Sequence, residues 1–147
     1  MVFFLSGIIQ GSLPGKNIHK QDYRKEIKEL LKKHFHGAHI YCPVENYPGS
    51  PDYDDVKGKD IFFNLLRKAS EVDVLVAFLP EASMGTAIEM WEAYKRENVI
   101  LCISPLINNW VVKYLCTAIF EDIAEFDNYI REGKLNKLLE ERLKNKK

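Results

Sequence analysis

Short apolar runs alternate along the chain with longer amphipathic stretches. Val2-Phe3-Phe4-Leu5 is the first run, and Ser6-Gly7 ends it. After a loop holding Gly11, Pro14 and Gly15, residues 22–34 place Tyr23, Ile27, Leu30 and Leu31 on one helical face. A second strand is expected at 38–42, stopped by Pro43, and the turn-rich stretch 45–58 follows with Pro48, Gly49 and Pro51. The spacing predicts a helix over 60–70. The run Val74-Leu75-Val76-Ala77-Phe78 lies in the clearest strand, 73–79, and is apolar throughout, as burial on both faces requires. Beyond it the pattern predicts a helix at 83–96, a strand at 99–103, a short helix at 109–115 and a short strand at 118–120. Helices at 122–131 and 135–146 complete the chain.

This alternation of strand and helix predicts an α/β fold: one doubly wound, five-stranded parallel sheet with flavodoxin-like or Rossmann-like order. The whole chain, 1–147, reads as a single domain, with the C-terminal helix (134–147) peripheral and its lysine-rich end, 144–147, a frayed and solvated terminus. In such folds ligands bind beyond the carboxyl ends of the strands, near the point where strand order reverses. The loops 6–12, 43–58, 80–85 and 104–109 all follow strands, so they are expected on one edge of the sheet.

Composition narrows the class. With 46% hydrophobic and 29% charged residues, 147 residues suffice for a core without disulfides or metal. Twenty-one basic residues balance 21 acidic ones, which argues against a nucleic-acid polymer as partner. The three cysteines, Cys42, Cys102 and Cys116, form no Cys-x-x-Cys pair and read as reduced thiols of a cytoplasmic protein. The apolar run at 2–5 is too short for a membrane span, so no membrane partner is expected. Three of the four histidines, His34, His36 and His39, straddle a helix end and a strand start, where their side chains diverge; no metal site is expected. The loop at 7–12 does not fit the dinucleotide fingerprint, and no cofactor is expected.

The chemistry concentrates in Ser83-Met84-Gly85-Thr86-Ala87-Ile88-Glu89-Met90, which follows the best strand and opens a helix. Ser83 is placed to cap that helix, Gly85 lets a ligand approach the backbone, and first-turn amides can receive an anion or a sugar hydroxyl. Glu89 lies about one and a half turns beyond Ser83. Flanked by Ile88 and Met90, its carboxylate is open to desolvation and so to activation. By pattern alone, a glutamate in the first turns of a helix usually just complements the helix dipole.

Asp73-Val74-Leu75-Val76-Ala77 followed by Ser83 to Met90 resembles the signature of the nucleoside 2-deoxyribosyltransferase family, which includes 2'-deoxynucleoside 5'-monophosphate N-hydrolases and CMP hydrolases. Phe3-Phe4-Leu5-Ser6-Gly7 is similar to that family's first strand and glycine turn, and the resemblance spans residues 2 to about 120. It implies that Glu89 attacks the anomeric carbon of a nucleoside or nucleotide, expelling the base. Water or a second base then resolves the covalent glycosyl-enzyme.

The resemblance also implies an acid on the helix before the central strand, near Leu65 or Asn64. Asn64 is the polar choice; it cannot act as an acid. Asp60, one turn earlier, and Asp54 or Asp55 in the preceding loop are the other candidates. For a 5'-phosphate, Gly7, Gln10, Gly11 and Ser12 offer amides and a hydroxyl, with Lys16 and His19 nearby and Ser83 and Met84 across the loop. Asn108 or Asn109 reaches from the loop after the fourth strand. Trp91 and Tyr94, three apart beside Glu89, suggest a subunit contact, and the resemblance implies a homodimer or higher homo-oligomer. The alternative function is a non-catalytic nucleotide sensor using the same pocket, which the missing acid favours. A third reading is a phosphate-binding flavodoxin-like module without glycosidic chemistry.

Overall fold

The computed structural model describes residues 1–145. Strands β1 (Val2–Gly7), β2 (His39–Tyr41), β3 (Val74–Phe78), β4 (Val99–Ile103) and β5 (Ala118–Phe120) form one sheet. Every neighbouring pair is parallel and the order is β2-β1-β3-β4-β5. This is the flavodoxin-like alternative, with its reversal point between β1 and β3.

Period-two alternation sorts each strand between two cores. Phe3, Leu5, Val74, Val76, Leu101 and Ile103 face one layer, which Tyr23, Ile27 and Leu31 of α1 (Asp22–His34) and Phe126 and Ile130 of α6 (Ile123–Arg131) cover. The helix expected at the periphery, α7 (Lys134–Asn145), contributes Leu135 and Leu139 to this layer. Phe4, Leu75, Ala77, Ile100 and Cys102 face the other. There they meet Ala69 of α3 (Asp55–Ser70), Met90 and Ala93 of α4 (Met84–Lys95) and Val112 of α5 (Trp110–Leu115).

Element boundaries shift for local reasons. The strand expected at 38–42 is confined to His39–Tyr41. The turn-rich stretch carries α2 (Pro43–Asn46) and a 3-10 turn at Ser50–Asp52. α3 begins five residues before the expected 60, since the Asp54 side chain caps it by accepting from the Lys57 amide at 2.8 Å. Asp55 is therefore in the first helical turn rather than in a loop. Asn109 caps α5 instead of belonging to it, accepting from the Val111 amide at 3.0 Å. The expected end of the last helix at Lys146, and the tail as far as Lys147, lie outside the described residues. Among the described residues no helix is long and apolar enough to cross a membrane, and no group of three or more His, Cys, Asp or Glu is placed to share a metal. The three thiols are free, with Cys42 and Cys102 buried.

Candidate functional site

A cavity of about 380 Å³ opens at the reversal point, within the size range of small-molecule sites. Four segments line it. The end of β1 and the loop after it supply Gly7, Ile9, Gln10 and Gly11; the segment before α3 supplies Ser50, Pro51 and Tyr53. α3 contributes the stripe Gly58, Ile61, Phe62 and Leu65, spaced as one helical face. Ser83, Met84, Gly85, Thr86 and Glu89 complete it from α4 and its cap. The cap forms as expected: Ser83 Oγ accepts from the Thr86 amide at 3.4 Å. A second hollow adjoins across Ser83 and Met84, bounded by Gly11, Ser12, Leu106 and Asn109. Three of the four predicted loops thus converge on the first cavity, and the fourth bounds the second.

Glu89 is partly buried, and the buried Ser6 hydroxyl donates a hydrogen bond to its Oε2. Burial pushes the Glu89 carboxyl up to about 7, against the opposing pull of that hydrogen bond and of the Arg24 guanidinium. A carboxyl raised this far is more basic than an exposed glutamate and takes up a proton closer to neutral pH.

Arg24 is itself buried. Its Nε donates to Gln21 Oε1 at 2.7 Å, its Nη1 to the Leu5 carbonyl at 2.8 Å and its Nη2 to the Gly7 carbonyl at 3.0 Å. β2 pairs with β1 only as far as Phe4, so the strand beyond needs donors from elsewhere. Gln21 Nε2 and the Tyr23 hydroxyl add bonds to the Ile8 carbonyl at 3.1 and 3.0 Å. The start of α1 therefore clamps the loop that borders Glu89.

Gly7 lines the cavity and also makes room for this clamp. A Cβ there would stand 2.4 Å from the Tyr23 hydroxyl, which is buried and already bonded to Ile8. Gly7→Ala is expected to cost about 1–3 kcal/mol through overpacking, read as a lower melting temperature. Gly11 has a positive φ of 56°, and a Cβ there would meet Ile8 and His19.

The sequence-predicted residues divide clearly. Glu89, Gly7, Gln10, Gly11, Ser83, Met84 and Gly85 line the first cavity. Ser12 and Asn109 line the second. Asn64, Asp60 and Asp55 line neither. Two residues turn a helix by about 200°, which carries Asp60 and Asn64 away from the Gly58–Phe62 stripe. Asn64 is occupied elsewhere: its Nδ2 donates to the Tyr47 hydroxyl at 2.7 Å and its Oδ1 accepts from Arg67 at 2.6 Å. Asp55 and Asp60 are exposed. Where the resemblance implies an acid, Leu65 faces the cavity. Ser6, Arg24, Tyr53 and Thr86 enter the site or its support without having been singled out. Of these only Ser6, a hydroxyl closing an apolar strand, carried a local signal.

Neither a family model nor a curated protein sequence matches the chain. In structure it is similar to a 2-deoxyribosyltransferase from Bacillus psychrosaccharolyticus, with TM-score 0.67 and 19% identity over 88% of this chain and 92% of that one. It is also similar to a conserved protein from Enterococcus faecalis V583, with TM-score 0.63 and 16% identity over 90% of this chain and 98% of that one. At these identities the likeness is one of fold: a doubly wound α/β domain shared with a 2-deoxyribosyltransferase, here with a carboxylate at its reversal point.

Proposed function

We propose that this protein is an enzyme that cleaves the N-glycosidic bond of a nucleoside-type substrate, with Glu89 as nucleophile. The observation that carries the reading is the partly buried Glu89 carboxylate, held through one oxygen by Ser6 at the edge of a nucleoside-sized cavity. Its other oxygen attacks the anomeric carbon, the base departs, and water or a second base resolves the glycosyl ester. The fold shared with a 2-deoxyribosyltransferase supports the same chemistry.

Incubation with a panel of nucleosides and 5'-monophosphates, with and without a free-base acceptor, tests this. Free base should accumulate with the parent and not with Glu89→Ala. A nucleotide that raises the melting temperature without releasing base favours the sensor reading, which the apolar Leu65 supports. Gly85 separates stability from function, because a Cβ there meets nothing within 4 Å. Gly85→Ala should gain about 0.5–1 kcal/mol from helix propensity while raising KM, since the added methyl enters the cavity lining.

The assembly we propose is a homodimer or higher homo-oligomer, through Ile88, Trp91 and Tyr94. These are 40%, 49% and 47% exposed on α4, with the two aromatic rings stacked at 5.8 Å. Sedimentation checks it. Three free thiols support a reducing compartment such as the cytoplasm.

A further inference from the structure

N-glycoside cleavage raises two charge problems, and this cavity is equipped for one. Glu89 provides an electron pair to the sugar, but the base must carry off the electrons of the C1'–N bond. A neutral purine or pyrimidine leaving in this way becomes an anion unless an acid protonates it.

Among the described residues that line the cavity, Glu89 is the one carboxyl group. The helix face that would present a second acid reads Gly58, Ile61, Phe62 and Leu65, while Asp60 and Asn64 project elsewhere. Tyr53 is the other ionisable lining residue, and its hydroxyl already donates to the Pro48 carbonyl at 2.7 Å. The remaining polar groups are hydroxyls and an amide, which do not act as acids near neutral pH.

Charge points the same way. No lysine or arginine is among the described lining residues of either hollow. The Arg24 guanidinium is turned onto the Leu5 and Gly7 carbonyls. Lys57, its Nζ 3.7 Å from the Tyr53 ring centroid, is exposed and outside the lining. A carboxylate that shares a cavity with the rings of Tyr53 and Phe62 and an apolar wall is a setting for a flat cation rather than an anion.

We propose that the leaving group is a heterocycle already cationic in the bound substrate, such as an N-ribosylpyridinium or an N7-alkylated purine nucleoside. This rests on the glycosidase reading above and adds the substrate class. A Glu89 carboxylate oxygen bonds to C1', and the C1'–N electron pair moves to the ring nitrogen. The heterocycle leaves as a neutral base, and no proton is needed. Water then attacks C1', the ester electron pair returns to Glu89, and the surplus proton of water passes to solvent.

The test compares guanosine with N7-methylguanosine, in ribo and 2'-deoxyribo forms, together with N-ribosylnicotinamide, following base release at neutral pH. General-acid assistance is worth about 10²–10⁴-fold, so the cationic member should exceed its neutral partner by about a hundredfold or more in kcat/KM. N-ribosylnicotinamide should release nicotinamide with the parent but not with Glu89→Gln. Leu65→Asp, which installs an acid on the lining face, should narrow the ratio by raising turnover of guanosine. If that variant does not fold, the substrate pair decides with the parent alone. Equal rates on guanosine and N7-methylguanosine would overturn the proposal and leave the glycosidase reading standing. Release from none of the panel would overturn both.

Discussion

Glu89→Gln is expected to slow base release by about a thousandfold or more while making the protein harder to melt at pH 8. The first effect follows from the nucleophile: an amide keeps the shape and the Ser6 contact but has no charge with which to attack. The second follows from linkage. The Glu89 carboxyl rises from 4.5 to about 7 on folding, so the folded chain holds the proton more tightly than the unfolded one. Below the lower value both states are protonated and the group contributes nothing. As pH rises from 4.5 towards 7 the unfolded state gains by ionising first, and above about 7 the fold carries the whole burden. That burden is about 3 kcal/mol, which glutamine removes, or a melting shift of roughly 6–12 °C for a chain of this length. The gap between parent and variant should close towards pH 4. The parent's activity should rise with pH through about 7, as the attacking carboxylate forms. Identical melting curves at pH 8 would show that the carboxylate is not desolvated; undiminished base release would remove Glu89 from the mechanism.

Arg24→Met should be the most destabilising single change near the site. The side chain is 5% exposed, and its loss takes the donors from the Leu5 and Gly7 carbonyls. Buried acceptors left unpaired, together with the lost charge-assisted bonds, are worth about 3–5 kcal/mol, so the melting temperature should fall by roughly 6–20 °C. Arg24 is a positioning residue, and a pH profile distinguishes that role from a purely structural one. The guanidinium lowers the Glu89 carboxyl, so its removal should move the rising limb of activity above about 7. Arg24→Lys keeps a charge but not the planar fork; it should restore the limb more than the stability. A limb that stays in place in Arg24→Met would confine Arg24 to holding the loop.

The strands were legible because burial on both faces leaves an unbroken apolar run, as at Val74 to Phe78, that polar neighbours punctuate. α3 was harder. Asp54, Asp55 and Gly58 suit a turn as well as a helix start, and only the Asp54 contact to the Lys57 amide decides between them. Asp60 and Asn64 are the polar residues of that helix near the position where the resemblance implies an acid. The helical stripe that lines the cavity instead runs through Gly58, Ile61, Phe62 and Leu65, the i, i+3, i+4, i+7 positions of the same helix.

Glu89 itself is the clearest case of what one sequence determines. The strand, the Ser83 cap and the spacing to Glu89 are local, so a few consecutive residues locate a carboxylate near the ligand edge. Its chemical state is not local. Ser6 lies 83 positions away and meets Glu89 only because β1 and β3 are neighbours in the sheet. Arg24 reaches the same region from α1, where it reads as one more charge on a solvated helix. Local pattern determined the alternation of strands and helices and set Glu89 in the helix after β3; tertiary packing decided what surrounds that glutamate, because desolvation and Coulombic fields depend on distance in space and not along the chain.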